Sequence, residues 1–569
     1  MSKSDIRIDV LGTVFTISTD EDPAYLRMLL DKYRRTIENV QQVSGLKDPL
    51  KTAVLTGFLL CDDLEKAGIS GGGEKSDASG EAELLTLGMI SRLSEVVPDA
   101  EEESLLPLEA PAEASGTETV FCPLYKLKNT VKNYDWGSPE WIPALLGEKN
   151  PSRVPWAELW MGVNPAGPSR VIAEGGGSLP VKTGSGQAAA LPLLSDLISA
   201  DKETFLGSEA AKNPGKLPFL FKVLAAVKPL SIQAHPGREQ AKEGFERENR
   251  EGIPLKAPNR NYLDSSHKPE IFCALGPFAA VCGFRKVHEI SALVGIISRD
   301  SEGELKSGFD SLISALKREN ENPFRAFLSV LFGLEREVLV TLGLFLKRRQ
   351  IQLERDFPEY KDEWDLCSYL IGLYPGDPGI LAPLYLNIIE LSAGEAMYIP
   401  TGVLHAYIHG MGIELMADSD TVIRGGLSSK HVDPKELLRI LDFSEYKPEI
   451  LKTPNPAPSW FSYPVEAGEF SLSVMKGTGN AVTFPGAGPS IVLLTQGSAS
   501  VKMPGKEAEI LKAGESVFIP ARCPFDPDKT GSARNSSAAS GNRGLVFSGT
   551  FTAYVASAGS GVTPHQPKN

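Results

Sequence analysis

Two ten-residue segments, LSAGEAMYIP at 391–400 and LKAGESVFIP at 511–520, share the frame L-x-A-G-E-x-x-x-I-P. The frame reads as a turn at Gly394 or Gly514, then a short strand stopped by Ile-Pro. One chain carrying this turn-and-strand unit twice is expected to build two related antiparallel barrels of the jelly-roll kind. The copies part company afterwards. The first runs into TGVLHAYIHG, with His405 and His409, and the second into ARCPFDPDKT, with no histidine. Only the first barrel is therefore expected to hold a metal.

The surrounding pattern fits a mainly β chain with a helical interruption. Short β-type runs occupy 121–280 and 381–450, among them LPFLFKVLAA (217–226), LSIQAH (230–235), EIFCALG (270–276) and LYLNIIEL (384–391). HAYI (405–408) and GIELMA (412–417) read as two strands with a glycine turn between them. Residues 286–375 read as helices, and strands return after 460. The expected domains are 120–285 with 381–450 (first, metal-holding barrel), 286–380 (helical insertion) and 451–560 (second, metal-free barrel). A Ser/Ala-rich loop is expected at 530–544.

At 569 residues, several cores are needed. The net charge of −14 argues against bulk nucleic-acid binding, which needs a basic face. No run reaches eighteen apolar residues, so no membrane span is expected, and MSKSDIRIDVLG lacks the apolar stretch of a secretory signal. The six cysteines are scattered and form no CxxC, the usage of a reducing compartment, so the expected location is the cytoplasm.

In front lies a different unit. IRIDVLGTVFTIS alternates about Gly12 as a hairpin would, and Asp20 to Pro23 is a helix-start signal. Leu26, Leu29, Leu30, Tyr33, Ile37 and Val40 follow at helical spacing, and a second helix covers 46–67. So short a unit (1–96) can hardly bury a core alone, and association through its helices is expected. From Leu93 to Tyr125 there are eight acids and no Lys or Arg, which reads as an acidic, disordered tether, placed at 97–119.

Chemistry concentrates in three stretches. In SIQAHP, Gln233 and His235 stand two apart in a strand and share a face. In NYLDSSHKPEIFCAL, Glu270 opens a strand, Lys268 shares its side and His267 points away. In PTGVLHAYIHG, His405 opens a strand, and His409 would share its face by alternation, although its nearness to a glycine turn places it behind the ligands or at the surface. Two imidazoles, a carboxylate and a neutral amide suit a zinc that keeps an open position for substrate. Tyr134, Trp136, Trp160 and Met416 read as packing.

Two resemblances follow from these residues. VLGTVFTI, DEDPAYL and GLKDPLKTAVLTGFLLCDDLEK in the first hundred positions are similar to the ZapA cell-division regulators. That likeness implies a coiled-coil oligomer and binding to FtsZ. From Phe121 onward the chain resembles the type I phosphomannose isomerases, zinc enzymes of the cupin fold. The likeness rests on VKNYDWG, AELWMG, LSIQAHP, NYLDSSHKPE, GEAMYIPTGVLHAYI and SDTVIRGGLSSKHVD. It implies Gln233, His235, Glu270 and His405 as ligands of one Zn2+ per chain, and Arg424 as a catalytic residue. It also implies interconversion of mannose 6-phosphate and fructose 6-phosphate through a cis-enediol. For that reaction Glu414, Lys268, a zinc-bound water and Arg424 are candidates for moving the proton, and Ser231, Arg424 and Lys430 for holding the phosphate. The rival reading is a cell-division adaptor whose cupin part binds a sugar phosphate without turning it over.

Overall fold

The computed structural model describes residues 124–172, 191–212, 215–465, 467–486, 488–503, 507–522 and 545–559, with 4–10, 13–19, 36, 37 and 56 ahead of them. The chain divides into two units, Met1–Gly116 and Thr117–Asn569. In the first, Ser4–Val10 and Thr13–Thr19 pair antiparallel and close with Val10 opposite Thr13, the expected hairpin. Of the long helices expected there, residues 36, 37 and 56 are described, and they are helical. The tether at 97–119 and the loop at 530–544 lie outside the described residues.

The second unit is organised by one strand, His405–Ala417. Its first half pairs with Phe278–Phe284 and touches Ile232–Ala234, where His405 lies opposite Gln233. Its second half pairs with Phe219–Ala226 and with Glu270–Ala274. All these ladders are antiparallel and belong to a ten-stranded sheet. Phe219–Ala226 is buried along its whole length, as its run FLFKVLAA requires of a strand covered on both faces. The turn expected at Gly410 is absent. A Cβ at 410 or 412 would lie within 2.6 Å of the Phe278 or Phe272 ring, so these glycines let aromatic rings press on a continuous strand.

The two copies of the repeat adopt the same local structure. Gly394 and Gly514 have φ of 84° and 88°, left-handed values that favour glycine. One step on, the Glu395 carboxylate accepts from the Ser392 N–H at 2.9 Å, and Glu515 accepts from the Lys512 N–H at 2.7 Å. The strands Ala396–Ile399 and Ser516–Ile519 follow. Both the glycine and the glutamate of the frame thus belong to the turn.

The second sheet has eight strands, the long ones being Phe470–Thr483, Ser490–Lys502 and Val546–Ala558. Tyr125–Lys128 and Arg170–Val171 join it, although Thr130–Lys132 and Glu158–Met161, which lie between them in sequence, belong to the first sheet. Tyr125–Lys128 pairs with a strand hundreds of positions away, so nothing local marks its place. Between Phe278–Phe284 and Leu386–Leu391 the chain is helical: Val287–Ser298, Gly303–Leu316, Pro323–Phe332, Arg336–Asp356 and Lys361–Leu373. The Asn322 side chain caps the third helix by accepting from the N–H groups of Phe324 and Arg325, and proline fills its first turn. Leu293, Phe309, Phe327, Leu342 and Leu370 form the shared helical core. Among the described residues, no helix is long and apolar enough to cross a membrane.

Candidate metal centre and active site

His235, Glu270 and His405 meet where the short strands converge on His405–Ala417. All three are essentially inaccessible to solvent. His235 Nε2 lies 3.3 Å from Glu270 Oε1, and His405 Nε2 lies 3.4 Å from Glu270 Oε2. The Gln233 amide is 3.4 Å from His405 Nε2. The other ring nitrogens face backbone carbonyls: His235 Nδ1 at 3.1 Å from Thr421 O, and His405 Nδ1 at 3.0 Å from Val403 O. A carbonyl only accepts, so each Nδ1 carries the proton and each Nε2 presents a lone pair.

Lone pairs therefore face a carboxylate with no hydrogen between them. His235 Nε2 and Glu270 Oε2 have no hydrogen-bond partner among the described residues, and Glu270 Oε1 has only the Lys268 ammonium beside it at 3.0 Å. Burial, reinforced by the Lys268 charge, pulls the His235 pKa down to about 4, so the ring is neutral at physiological pH. Burial pushes the Glu270 carboxyl up, the Lys268 charge is the largest influence against it, and the carboxyl is held well below its usual range. Buried acceptors left facing one another are costly unless a cation joins them. Donors about 2.0–2.1 Å from one tetrahedral zinc stand about 3.3 Å apart, close to the separations here. The cluster fits a metal, with Gln233 able to turn its amide oxygen toward the same point.

Beside the cluster opens a cavity of about 1080 Å³. Ser231, Gln233, Lys268, Glu414, Arg424 and Lys430 all line it. Lys268 Nζ sits 3.0 Å from Glu270 Oε1, as two-residue spacing in an extended chain predicts. Arg424 is the register partner of Gln233. Lys430 Nζ stands 5.1 Å from the centre of the Tyr134 ring. Arg424 and Lys430 form no ion pair among the described residues. Burial lowers both pKa values, and Arg424 further lowers that of Lys430. They supply uncompensated positive charge to the cavity wall.

Some expectations need correction. Tyr134 and Trp136 stack at 5.6 Å and both line the cavity, although Trp136 also packs against the core as expected. Trp160 and Met416 pack together as expected, yet also face the cavity. His409 does not share the face of His405. The ladder with Phe278–Phe284 slips at this point: Tyr407 opposes Ala280 and His409 opposes Ala279. The extra residue, Ile408, is a bulge that reverses alternation, so His409 is exposed against Trp141. His267 does point away, with its Nε2 2.7 Å from Glu469 Oε1 and 2.8 Å from the Arg238 guanidinium.

Sequence reading missed Lys222 and Glu158. Lys222 Nζ lies 3.1 Å from Glu414 Oε2, 3.8 Å from Glu158 Oε1 and 4.9 Å from the Trp160 ring centre. Trp160 Nε1 donates to Glu158 Oε2 at 2.7 Å. Burial pulls the Lys222 pKa down, but Glu158 and Glu414 more than reverse it, so the ammonium is held charged. Burial raises the Glu414 carboxyl above its ordinary value, with Glu270 adding to the rise and Lys222 opposing it. The signal was available: one lysine inside an apolar, fully buried strand must be paired.

Comparison with known proteins agrees with this geometry. Residues 124–287 match the family described as phosphomannose isomerase type I, catalytic domain. The chain is 36% identical over 401 residues to the mannose-6-phosphate isomerase of Shigella flexneri, covering 70% of this chain and 95% of that one. The chain belongs to the mannose-6-phosphate isomerases. A relative in Rattus norvegicus is 33% identical over 429 residues, 70% of this chain and 93% of the rat protein. A zinc-bound mannose 6-phosphate isomerase structure superposes with a TM-score of 0.64 at 31% identity, over 77% of this chain and all of that one. A Salmonella typhimurium structure bound to substrate (f6p) and zinc gives the same TM-score at 30% identity, again over 77% of this chain and all of that one. This family membership makes the chain an enzyme, an aldose–ketose isomerase, and the reading as an inactive adaptor is not favoured. Residues 6–96 match the cell division protein ZapA.

Proposed function

We propose that the chain interconverts mannose 6-phosphate and fructose 6-phosphate by moving a proton between C1 and C2 through a cis-enediol. The observation that carries this reading is the buried cluster in which His235 Nε2 and Glu270 Oε2 face one another's side of the site without a hydrogen-bond partner, with His405 and Gln233 alongside and a cavity carrying Lys268, Arg424 and Lys430 next to it. These four residues hold one zinc, which when bound polarises the substrate carbonyl as a Lewis acid. Glu414 takes the proton: its raised carboxyl is matched to that work, and the Lys222 ammonium 3.1 Å away keeps it ionised. Lys268 steadies Glu270. Arg424 offsets charge developing on the enediolate, because guanidinium keeps its proton. Lys430, Ser231 and Arg424 hold the phosphate, away from the buried ligands.

In this reading each large sheet is one cupin-type jelly roll, the first catalytic and the second metal-free. The domains are those expected from sequence: 120–285 with 381–450, 286–380, and 451–560. The front segment (1–96), on its tether (97–119), associates through its helices into an oligomer, binds FtsZ and works in the cytoplasm. Its likeness to ZapA supports this part.

The test is fructose 6-phosphate formation from mannose 6-phosphate by the purified full-length chain, before chelation, after it and after zinc is returned. Turnover lost on chelation and regained with zinc is expected. A folded, zinc-loaded chain without turnover would contradict the proposal. Removing 1–118 is expected to reduce oligomer size in light scattering and to leave turnover unchanged.

A further inference from the structure

The helical segment returns to the sheet through Tyr374-Pro375-Gly376-Asp377-Pro378-Gly379, and this exit touches both sides of the cavity. The Tyr374 hydroxyl donates to Pro229 O at 3.0 Å, just ahead of Ser231 and Gln233. The Asp377 carboxylate turns the other way. Its Oδ1 accepts from the Gly379 N–H at 2.7 Å and from the Leu427 N–H at 2.9 Å, and the Ser428 N–H also faces it.

Leu427 is an unusual residue to find there. Its φ is 52°, and Arg153 is the only other non-glycine with positive φ among the described residues. Leu427 is buried, so its side chain is held by packing as well as strained in its backbone. Such a conformation persists only where surroundings over-determine it. Asp377 does this from one side, accepting the Leu427 N–H. Gly379 does it from the other: a Cβ there would lie 2.8 Å from Leu427 Cγ and from Ile232 Cδ1. Gly426 completes the fit, since a Cβ at that position would come 2.6 Å from Asp377 Oδ1. The strained residue lies between Arg424 and Lys430, two cations of the cavity wall.

We propose that Asp377 is a positioning residue: its carboxylate fixes Leu427 in the left-handed conformation and so aims Arg424 and Lys430 at the substrate phosphate. Asp377 acts through the backbone. The helical insertion thereby shapes a site to which it contributes no metal ligand. The proposal rests on the reading of this cavity as the sugar-phosphate site.

The experiment compares the full-length, zinc-loaded parent with Asp377→Ala and Asp377→Asn. It reads kcat, KM for mannose 6-phosphate, thermal melting, and amide hydrogen exchange at residues 424–430. In Asp377→Ala, KM should rise about tenfold, or ~1.4 kcal/mol, with a much smaller change in kcat. Exchange at Leu427 and Ser428 should quicken. Asp377→Asn keeps an acceptor oxygen but loses the charge, so its KM and its exchange should fall between those of the parent and those of the alanine variant. Should the alanine variant not fold, the asparagine variant is read alone: a raised KM with quicker exchange at 427–428 supports the proposal. Unchanged KM, or unchanged exchange at 427–428, in the folded variant that is read would overturn it. If the parent itself does not turn over mannose 6-phosphate, the isomerase reading fails, and unchanged exchange would still overturn the clasp.

Discussion

The turn at 391–400 and the turn at 511–520 have the same glycine conformation, the same glutamate cap and the same following strand, yet they lead to opposite interiors. Behind the first, Ile399 pairs with Glu270, and the chain reaches His405 five residues after the frame ends. Behind the second, Val517 and Ile519 pack with Val492, Leu494, Leu511, Phe547 and Val555 in a wholly apolar cluster. The backbone unit is therefore indifferent to chemistry. What separates a metal centre from a hydrocarbon core is a handful of side chains on the strands that the turn aligns.

This contrast can be broken at several points. The largest effect is expected from Lys222→Met in the first sheet. It leaves Glu414 and Glu158 buried without their cation, so Glu414 should take up a proton and lose the role of base proposed for it. Turnover should fall by about 10²–10⁴-fold, measured on folded protein at saturating zinc. Parental turnover would remove Glu414 and Lys222 from the chemistry. In the second sheet, Leu511→Ala should cost about 2–5 kcal/mol of stability, with kcat per folded molecule unchanged. A fall in kcat there would show that the second sheet is more than scaffold.

The paired glycines give a finer comparison. Both have positive φ, so alanine at either costs about 1–2 kcal/mol of backbone strain. A Cβ at Gly394 meets nothing within 4 Å, whereas at Gly514 it would lie 2.4 Å from Leu145 O. Gly514→Ala should therefore lower the melting temperature more than Gly394→Ala. Equal shifts would mean that the close approach at Leu145 costs nothing and that the two turns do not differ in the way described.

The smallest effect concerns Glu469, just ahead of Phe470–Thr483, whose carboxylate stands 2.7 Å from His267 Nε2 and accepts from the Arg238 guanidinium at 2.6 Å. Its contacts with His267 and with Arg238 outweigh partial burial and pull the Glu469 carboxyl down to about 2 from an ordinary 4.5. A depressed carboxyl adds stability above pH 4.5 and loses it as pH falls from 4.5 toward 2. Glu469→Gln should thus melt earlier than the parent at pH 7, with the gap closing below pH 4.5. A gap independent of pH would contradict that origin.

Much of the site could be read from sequence because its ligands obey local rules. Gln233 and His235, or Lys268 and Glu270, stand two apart in extended chain, and alternation brings each pair to one face. His409 escapes the same rule because a bulge at Ile408 inserts one residue, and a bulge leaves no mark in an isolated strand. Lys222 and Glu158 are easily overlooked because they sit in apolar runs, where pattern signals burial but not the partner that burial demands. Tyr125–Lys128 reads with the nearer sheet, because strand pairing over hundreds of positions depends on the assembled core. The Asp377 contact with Leu427 joins a helical exit to a strand end, and no periodicity predicts it.

The central claim is that one metal centre lies behind the first turn and none behind the second. Its most direct test is zinc content per chain in the purified full-length protein and in His405→Ala, with circular dichroism to show that both are folded. One zinc per parent chain and essentially none in the variant is the predicted result. Two zincs in the parent, or one retained by folded His405→Ala, would place the metal elsewhere and contradict it.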